Sequence, residues 1–393
     1  MEREEVTTLK RVLILMLILI LCGCGKSVVS GENTENAEIF MVNVGKADAI
    51  IVRADEDYYL IDTATEEMWP RVMAAIKDMN IARLKGVFVT HTDKDHVGGL
   101  EMLAQSDIQV DVWYASKYFI DVKEEKHPAV KAAKIRGQEV VFLGAGDSVD
   151  GIFEVLAPVK QMEDKDDNNS LVMIFKTKNG SAFFAGDMEY AEENTILNKK
   201  LKADVLKVGN HADDDTTSQA LIDKVDAKIA LISTSSYEKP ETPDPMLVER
   251  LENKGMEIFY TEHSNAGIRV TMDKNGVRAE YAEWKNAKPL PEGICIASVD
   301  PVEDTIVIEN RSEKDADLSG FYLFSSKGKE ILYLNNGCIL KAGGRIVIGS
   351  NSTQNTKIDL LWNDKNVIND TKADTITLND PYGRAVCAKT ANE

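Results

Sequence analysis

His91-Thr92-Asp93-Lys94-Asp95-His96-Val97-Gly98-Gly99 decides the reading of this chain. Two imidazoles and two carboxylates fall within six residues, directly after the apolar run Leu84-Lys85-Gly86-Val87-Phe88-Val89-Thr90. The run predicts a buried strand, the polar cluster a loop at its end, and Gly98-Gly99 the opening of a helix. Four such side chains at spacing i, i+2, i+4 and i+5 cannot all be satisfied as core residues. Neighbouring carboxylates repel one another and are costly to desolvate. A divalent metal relieves both problems, because zinc and manganese accept imidazole nitrogen and carboxylate oxygen as ligands. The bland alternative is a solvated acidic turn with two incidental histidines, and it leaves the strand-to-loop setting unexplained.

Working outward, further apolar strands end in a candidate ligand or its support. Tyr58-Tyr59-Leu60-Ile61 ends in Asp62. Asn169 to Phe175, an Asn179-Gly180 turn and Ser181 to Gly186 make a hairpin ending in Asp187. Asp204 to Gly209 ends in Asn210-His211. Strand ends gather at one rim of a sheet, where α/β sites are built. Residues 37–44 and 49–52 predict strands around a turn at 45–48, and residues 66–79 and 246–254 predict helices. The acidic loop 161–168 reads as solvated. All five histidines precede Thr271, and no protein nucleophile is evident.

The 393 residues suit two domains, and 44% hydrophobic content is enough for real cores. A net charge of −19 argues against a generic polyanion-binding surface. Divalent ions would reverse the sign locally, so nucleic acid at a metal site stays open. Residues 12–21 (VLILMLILIL) after Lys10-Arg11 read as a signal-peptide core, too short to span a bilayer comfortably. Glu2, Glu4 and Glu5 are unusual in a signal and leave a start later than Met1 as an alternative. Cys295, Cys338 and Cys387 lie outside the motif-bearing half; they form no metal motif and leave room for at most one bridge. After the linker Lys285-Asn286-Ala287-Lys288-Pro289-Leu290-Pro291, short β-rich runs separated by turn residues predict an all-β sandwich. The expected organisation is a signal at 1–23, a tether at 24–36, an α/β domain at 37–284, a linker at 285–293 and the sandwich at 294–393.

These motifs carry a family resemblance. His91-x-Asp93-x-Asp95-His96 with Gly98-Gly99 resembles the metallo-β-lactamase superfamily in its ComEC-type (competence) form, which has Asp at the second histidine position. Val42 to Ala49, Leu60-Ile61-Asp62-Thr63, Asn168-Asn169-Ser170-Leu171-Val172, Gly186-Asp187 and Asn210-His211 resemble further segments of that form, over residues 37–283. The resemblance implies an αββα sandwich, two divalent ions (zinc, with manganese as the alternative), and hydrolysis by a metal-bound hydroxide. It implies that Asp95, His96 and His211 hold one ion, that His91 and Asp93 hold the other, and that Asp187 bridges them. Asp95, Asp62 and Lys207 are expected in the catalytic set, Asp62 by orienting the histidine loop. Lys207 either reaches an anionic substrate or is a strand-end surface lysine. The chain departs from the family at Asn210, where an imidazole is usual, at Ala212-Asp213, and around Lys239-Pro240 and Asp244-Pro245, which lack a histidine. His263 reads as a surface residue and His127 as structural or solvated.

Leu21-Cys22-Gly23-Cys24 resembles a bacterial lipobox, which implies lipidation at Cys24 and a membrane-anchored lipoprotein on the extracytoplasmic face. The stretch from Ile294 to about residue 390 resembles the lamin tail domain, an immunoglobulin-like sandwich, and implies attachment to a surface component or to substrate. Together these imply a metal-dependent hydrolase, with phosphodiesters of nucleic acid or of an anionic, phosphorylated envelope polymer as the leading substrates. The alternatives are hydrolysis of another ester, lactone or amide, and a non-catalytic binding module.

Overall fold

Burial with a period of two on both faces organises the first half of the chain. In the strand Ala37–Val42, Ile39 and Met41 face one apolar layer while Phe40 and Val42 face another. A strand buried on both sides must sit between two packed layers. The computed structural model describes residues 34–235, 242–362, 364 and 366–392. In chain order the strands are β1 (Ala37–Val42), β2 (Ile50–Ala54), β3 (Asp57–Ile61), β4 (Gly86–Val89), β5 (Trp113–Ser116) and β6 (Val140–Leu143). Then follow β7 (Ser148–Val149), β8 (Phe153–Ala157), β9 (Val172–Lys176), β10 (Ser181–Phe184), β11 (Val205–Lys207), β12 (Ile229–Ile232) and β13 (Glu257–Tyr260). The last two are β14 (Gly267–Asp273) and β15 (Gly276–Ala282).

The eight-stranded sheet runs β15-β14-β1-β2-β3-β4-β5-β6, and the seven-stranded sheet runs β13-β12-β11-β10-β9-β8-β7. Each is antiparallel at one end and parallel at the other, the change falling at β3/β4 and at β10/β11. Met41, Phe88, Phe153, Phe175 and Phe184 fill the layer between the sheets. Helices cover the outer faces. Val72, Ala75 and Ile76 of α1 (Trp69–Asp78) pack on the first sheet. Leu221 and Ile222 of the helix Gln219–Val225 and Leu247 and Leu251 of the helix Pro245–Asn253 pack on the second. The layers are therefore αββα, as the family resemblance implied.

Both outer helices of the second sheet begin at a capping oxygen. Ser218 accepts from the N–H of Leu221, and Asp244 from that of Leu247, with Pro245 in the first turn. The helix expected over 66–79 is shorter, because residues 66–68 form a turn. The helix expected after the motif is split into α2 (Lys94–Val97) and α3 (Leu100–Gln105), with Gly98-Gly99 between them. A Cβ on Gly98 would lie 2.2 Å from the Glu66 nitrogen, and one on Gly99 2.4 Å from the Trp69 ring. The glycines let the loop press against the turn that follows β3.

Among the described residues, 294–391 build β-structure alone, around Ile308, Leu323, Leu340, Trp362 and Leu378. Two four-stranded sheets carry it. Cys295, Cys338 and Cys387 are free thiols, so the bridge left open by the sequence is not formed. The linker is held where Asp78 accepts from the N–H groups of Lys285 and Asn286 (3.1 and 2.7 Å). A cavity of about 600 Å³ lies beside it, walled by Trp69, Phe321, Tyr322 and Tyr382, and no histidine lines it. No described helix is long and apolar enough to cross a membrane. Cys24, the predicted lipidation site, lies outside the described residues.

Candidate metal centre

The motif loop is held from below by Asp62. This carboxylate is fully buried, at 0% exposure. It accepts from Thr90 N–H (2.9 Å), from Thr90 Oγ1 (2.7 Å) and from His96 Nδ1 (2.8 Å). The last contact orients the ring and turns Nε2 toward Asp187 Oδ2 at 3.2 Å. Asp62 lies buried beneath the loop and holds Thr90 and His96 in place.

Two groups of donors converge above it. Asp95, His96, Asp187 and His211 form one, with His211 Nε2 3.2 Å from Asp187 Oδ2 and 3.4 Å from Asp95 Oδ2. His91, Asp93 and Asp167 form the other, with His91 Nε2 3.5 Å from Asp167 Oδ1 and 4.0 Å from Asp93 Oδ2. The structure thus brings together all six side chains expected as ligands and adds Asp167. The reading of loop 161–168 as merely solvated is corrected here. Asp166 is buried and accepts from the N–H of Thr92 and of Ile120 (2.9 and 3.0 Å), pinning the acidic loop to the motif loop. That contact turns its neighbour Asp167 inward. The available sequence signal was position: Asp167 directly precedes Asn168-Asn169-Ser170, all buried, and Ser170 Oγ accepts from the N–H of Asp187.

Lys207 is corrected as well. It is 1% exposed, pairs with Asp48, donates to the carbonyl of Gly186 at 2.9 Å and lies 3.5 Å from Asp187 Oδ1. It is not a surface lysine: it is buried outside the lining of the mouth and holds the Asp187 strand end. Asp48, which the sequence reading passed over, continues the chain. Its Oδ1 accepts from Ser233 Oγ (2.5 Å), which lies 3.0 Å from His211 Nδ1. Residues 210–212 all have left-handed backbone, with φ of 40°, 53° and 65°. Such a run of non-glycine residues is strained and typical of functional sites. Asn210 sits at the mouth, 3.5 Å from Glu189 Oε1. His263 is exposed and contacts Tyr281, and His127 is buried as the cap of Pro128–Ile135; both lie outside the cluster.

The residues present fit a pair of divalent ions. His91 Nε2 and His211 Nε2 are buried and have no hydrogen-bond partner. Orphaned nitrogens facing carboxylates are costly unless something lies between them. Donor separations of 3.2–3.4 Å in the first group match the roughly 3.4 Å edge of a tetrahedron with metal–ligand bonds of about 2.1 Å. The electrostatics call for positive charge. Burial alone would raise Asp187, yet His96, His211 and Lys207 hold it well below the usual carboxylate range. Burial would lower His96, yet Asp187 and Asp62 hold it well above the usual imidazole value. Burial lifts Asp167 to about 7, with repulsion from Asp187 and Asp93 added. The mouth above these groups, a cavity of about 370 Å³, is lined by acidic residues with Lys46 and Lys165.

Comparison with known proteins agrees with this geometry. Residues 42–236 match the metallo-β-lactamase superfamily model, and residues 288–392 match the lamin tail domain model. ComE operon protein 3 of Bacillus subtilis (strain 168) is 25% identical over 254 residues, covering 59% of this chain and 32% of that protein. Recombination protein 2 of Haemophilus influenzae is 23% identical over 202 residues, covering 51% of this chain and 24% of that protein. The chain therefore spans about a third or less of the length of these relatives, and the match supports the ComEC-type branch. Among solved structures, the metallo-beta-lactamase fold protein YhfI from Bacillus subtilis aligns with a TM-score of 0.40 and 11% identity, covering 57% of this chain and 96% of that one. Residues 42–236 carry a metallo-β-lactamase superfamily domain, similar to relatives of the ComEC type, and residues 288–392 carry a lamin tail domain.

Proposed function

We propose that this chain is a two-metal phosphodiesterase. The observation that carries the reading is the pair of buried imidazole nitrogens without a hydrogen bond, on His91 and His211, each facing two carboxylates. In this reading Asp95, His96 and His211 hold one ion and His91, Asp93 and Asp167 the other, with Asp187 between them. When bound, such a pair activates water near neutral pH and stabilises negative charge developing on a phosphoryl oxygen. Zinc suits the first set, with its two imidazoles. Manganese competes best at the second, where carboxylates dominate. The protein's own residues keep this geometry fixed. Asp62 sets the tautomer of His96, Ser233 orients His211, and Lys207 fixes Asp187. No side chain has to act as nucleophile.

The test is direct. The full chain, stripped and reloaded, should bind two ions and hydrolyse bis-p-nitrophenyl phosphate with zinc or manganese. Failure to retain either ion would reject the reading. The same chain is read as tethered through a lipid on Cys24 at the extracytoplasmic face, with the lamin tail domain binding a surface component or substrate. Cys24→Ala should then release it from membranes, and unchanged partitioning would reject the anchor.

A further inference from the structure

We infer that the cavity between the two domains is a binding site for a small organic anion, a flat apolar ring body carrying one sulfonate, carboxylate or phosphate. Its volume of about 600 Å³ lies within the range of small-molecule sites, roughly 300–1,000 Å³, and such sites favour domain interfaces. None of the metal donors lines it, so it is separate from the centre described above. Three parts of the chain build it. Trp69 comes from α1, Pro289 from the linker, and Phe321, Tyr322, Tyr333 and Tyr382 from the lamin tail domain. The walls are set before a ligand arrives. Asp380 accepts from the N–H groups of Tyr382 and Arg384 at 3.0 and 2.8 Å. Arg384 also donates to the carbonyl of Lys288, tying the turn that carries Tyr382 to the linker. Little ordering remains to oppose binding.

Two features define the ligand. The first is the character of the walls. Trp69, Phe321 and Tyr322 are held nearly buried by their neighbours and turn ring surface to the cavity. Apolar cavities take up apolar guests in preference to water. Ring side chains offer flat faces, which a ring body meets by offset stacking or edge to face. The second feature is charge. Of the five charged side chains on the lining, Arg384 pairs with Asp380, and Lys288 is set against Asp317. Lys77, in the last turn of α1, is exposed and enters no ion pair among the described residues. The lining therefore carries one positive charge in excess, in a chain whose net charge is −19. An anionic group at the edge of the cavity complements that charge, and a cation is repelled by it.

The experiment titrates the metal-loaded full chain with a pair of fluorescent probes that share one ring body. 8-Anilinonaphthalene-1-sulfonate is anionic, and N-phenyl-1-naphthylamine is its neutral counterpart. Each should bind once per chain. Lys77→Gln, at an exposed position, should weaken the sulfonate about two- to fivefold, the worth of one exposed ion pair, and leave the neutral probe unchanged. High salt should erase that difference. Met73→Trp places a bulky ring on the cavity lining and should remove binding of both probes. Tyr333→Ala, at a residue 43% exposed, should weaken both severalfold and keeps the test valid where Met73→Trp fails to fold. A sulfonate affinity unmoved by Lys77→Gln, or an equal loss for both probes, would overturn the anionic ligand. Binding indifferent to Met73→Trp and to Tyr333→Ala, or no binding of either probe, would overturn the site.

Discussion

Asp62→Asn isolates the positioning of one ligand from the ligands themselves. The substitution keeps the side chain's shape at a site with 0% exposure. The remaining oxygen can still accept from Thr90 N–H, now at 2.9 Å. The new amide NH2 faces Thr90 Oγ1 and His96 Nδ1, now at 2.7 and 2.8 Å. The hydroxyl can rotate and accept, but an imidazole N–H cannot donate to a donor. His96 then has two choices. It can leave Nδ1–H buried and unpaired, which costs about 1–3 kcal/mol. Or it can move the proton to Nε2, the nitrogen facing Asp187, and lose the lone pair a metal needs. Loss of such a supporting partner typically weakens metal binding about 10–100-fold. Chelator competition with zinc should therefore show a drop in affinity of that size. Urea unfolding of the metal-free protein should show a stability loss of about 1–3 kcal/mol. A folded Asp62→Asn protein with unchanged zinc affinity would refute the claim that this carboxylate sets the His96 tautomer.

Three further outcomes follow from other contacts. Asp167→Ala should reduce equilibrium metal content from two ions per chain to one, and retention of two would remove Asp167 from the ligand set. Lys207→Met leaves Asp48 and Asp187 buried without their cation and should cost about 3–5 kcal/mol in denaturant unfolding. Weaker substrate binding at unchanged stability would instead restore the substrate-contact role. Burial lowers the His127 pKa from 6.5 to about 4. The unfolded chain then binds the extra proton between those values, so this contribution is complete above pH 6.5, falls as pH drops toward 4, and amounts to about 3 kcal/mol. His127→Gln should flatten that part of the pH–Tm profile, and an unaltered slope would contradict it.

Much of the centre was legible because its donors cluster in sequence. His91, Asp93, Asp95 and His96 share one loop, and Asp62, Asp187 and His211 each end an apolar strand. What misled was local context. Asp167 lies among Glu163, Asp164 and Asp166, where composition says solvent. The hydrogen bonds of Asp166 to Thr92 of the motif loop and to Ile120 come from residues more than forty positions away, and they decide which neighbour turns inward. Lys207 looked like an ordinary strand end because its partner, Asp48, sits in a turn on the other sheet.

The division has a physical cause. Chemical identity and local periodicity are properties of short segments. From them come the donor types in His91–Gly99, the two-faced burial of the strands and the change to short β-runs after the linker. Pairing at a distance depends on which sheet faces which. Only the packed αββα layers could make Asp167 a donor, bury Lys207 between two carboxylates, and set Asp213-Asp214-Asp215 on the rim of a centre whose motif loop lies more than a hundred residues earlier.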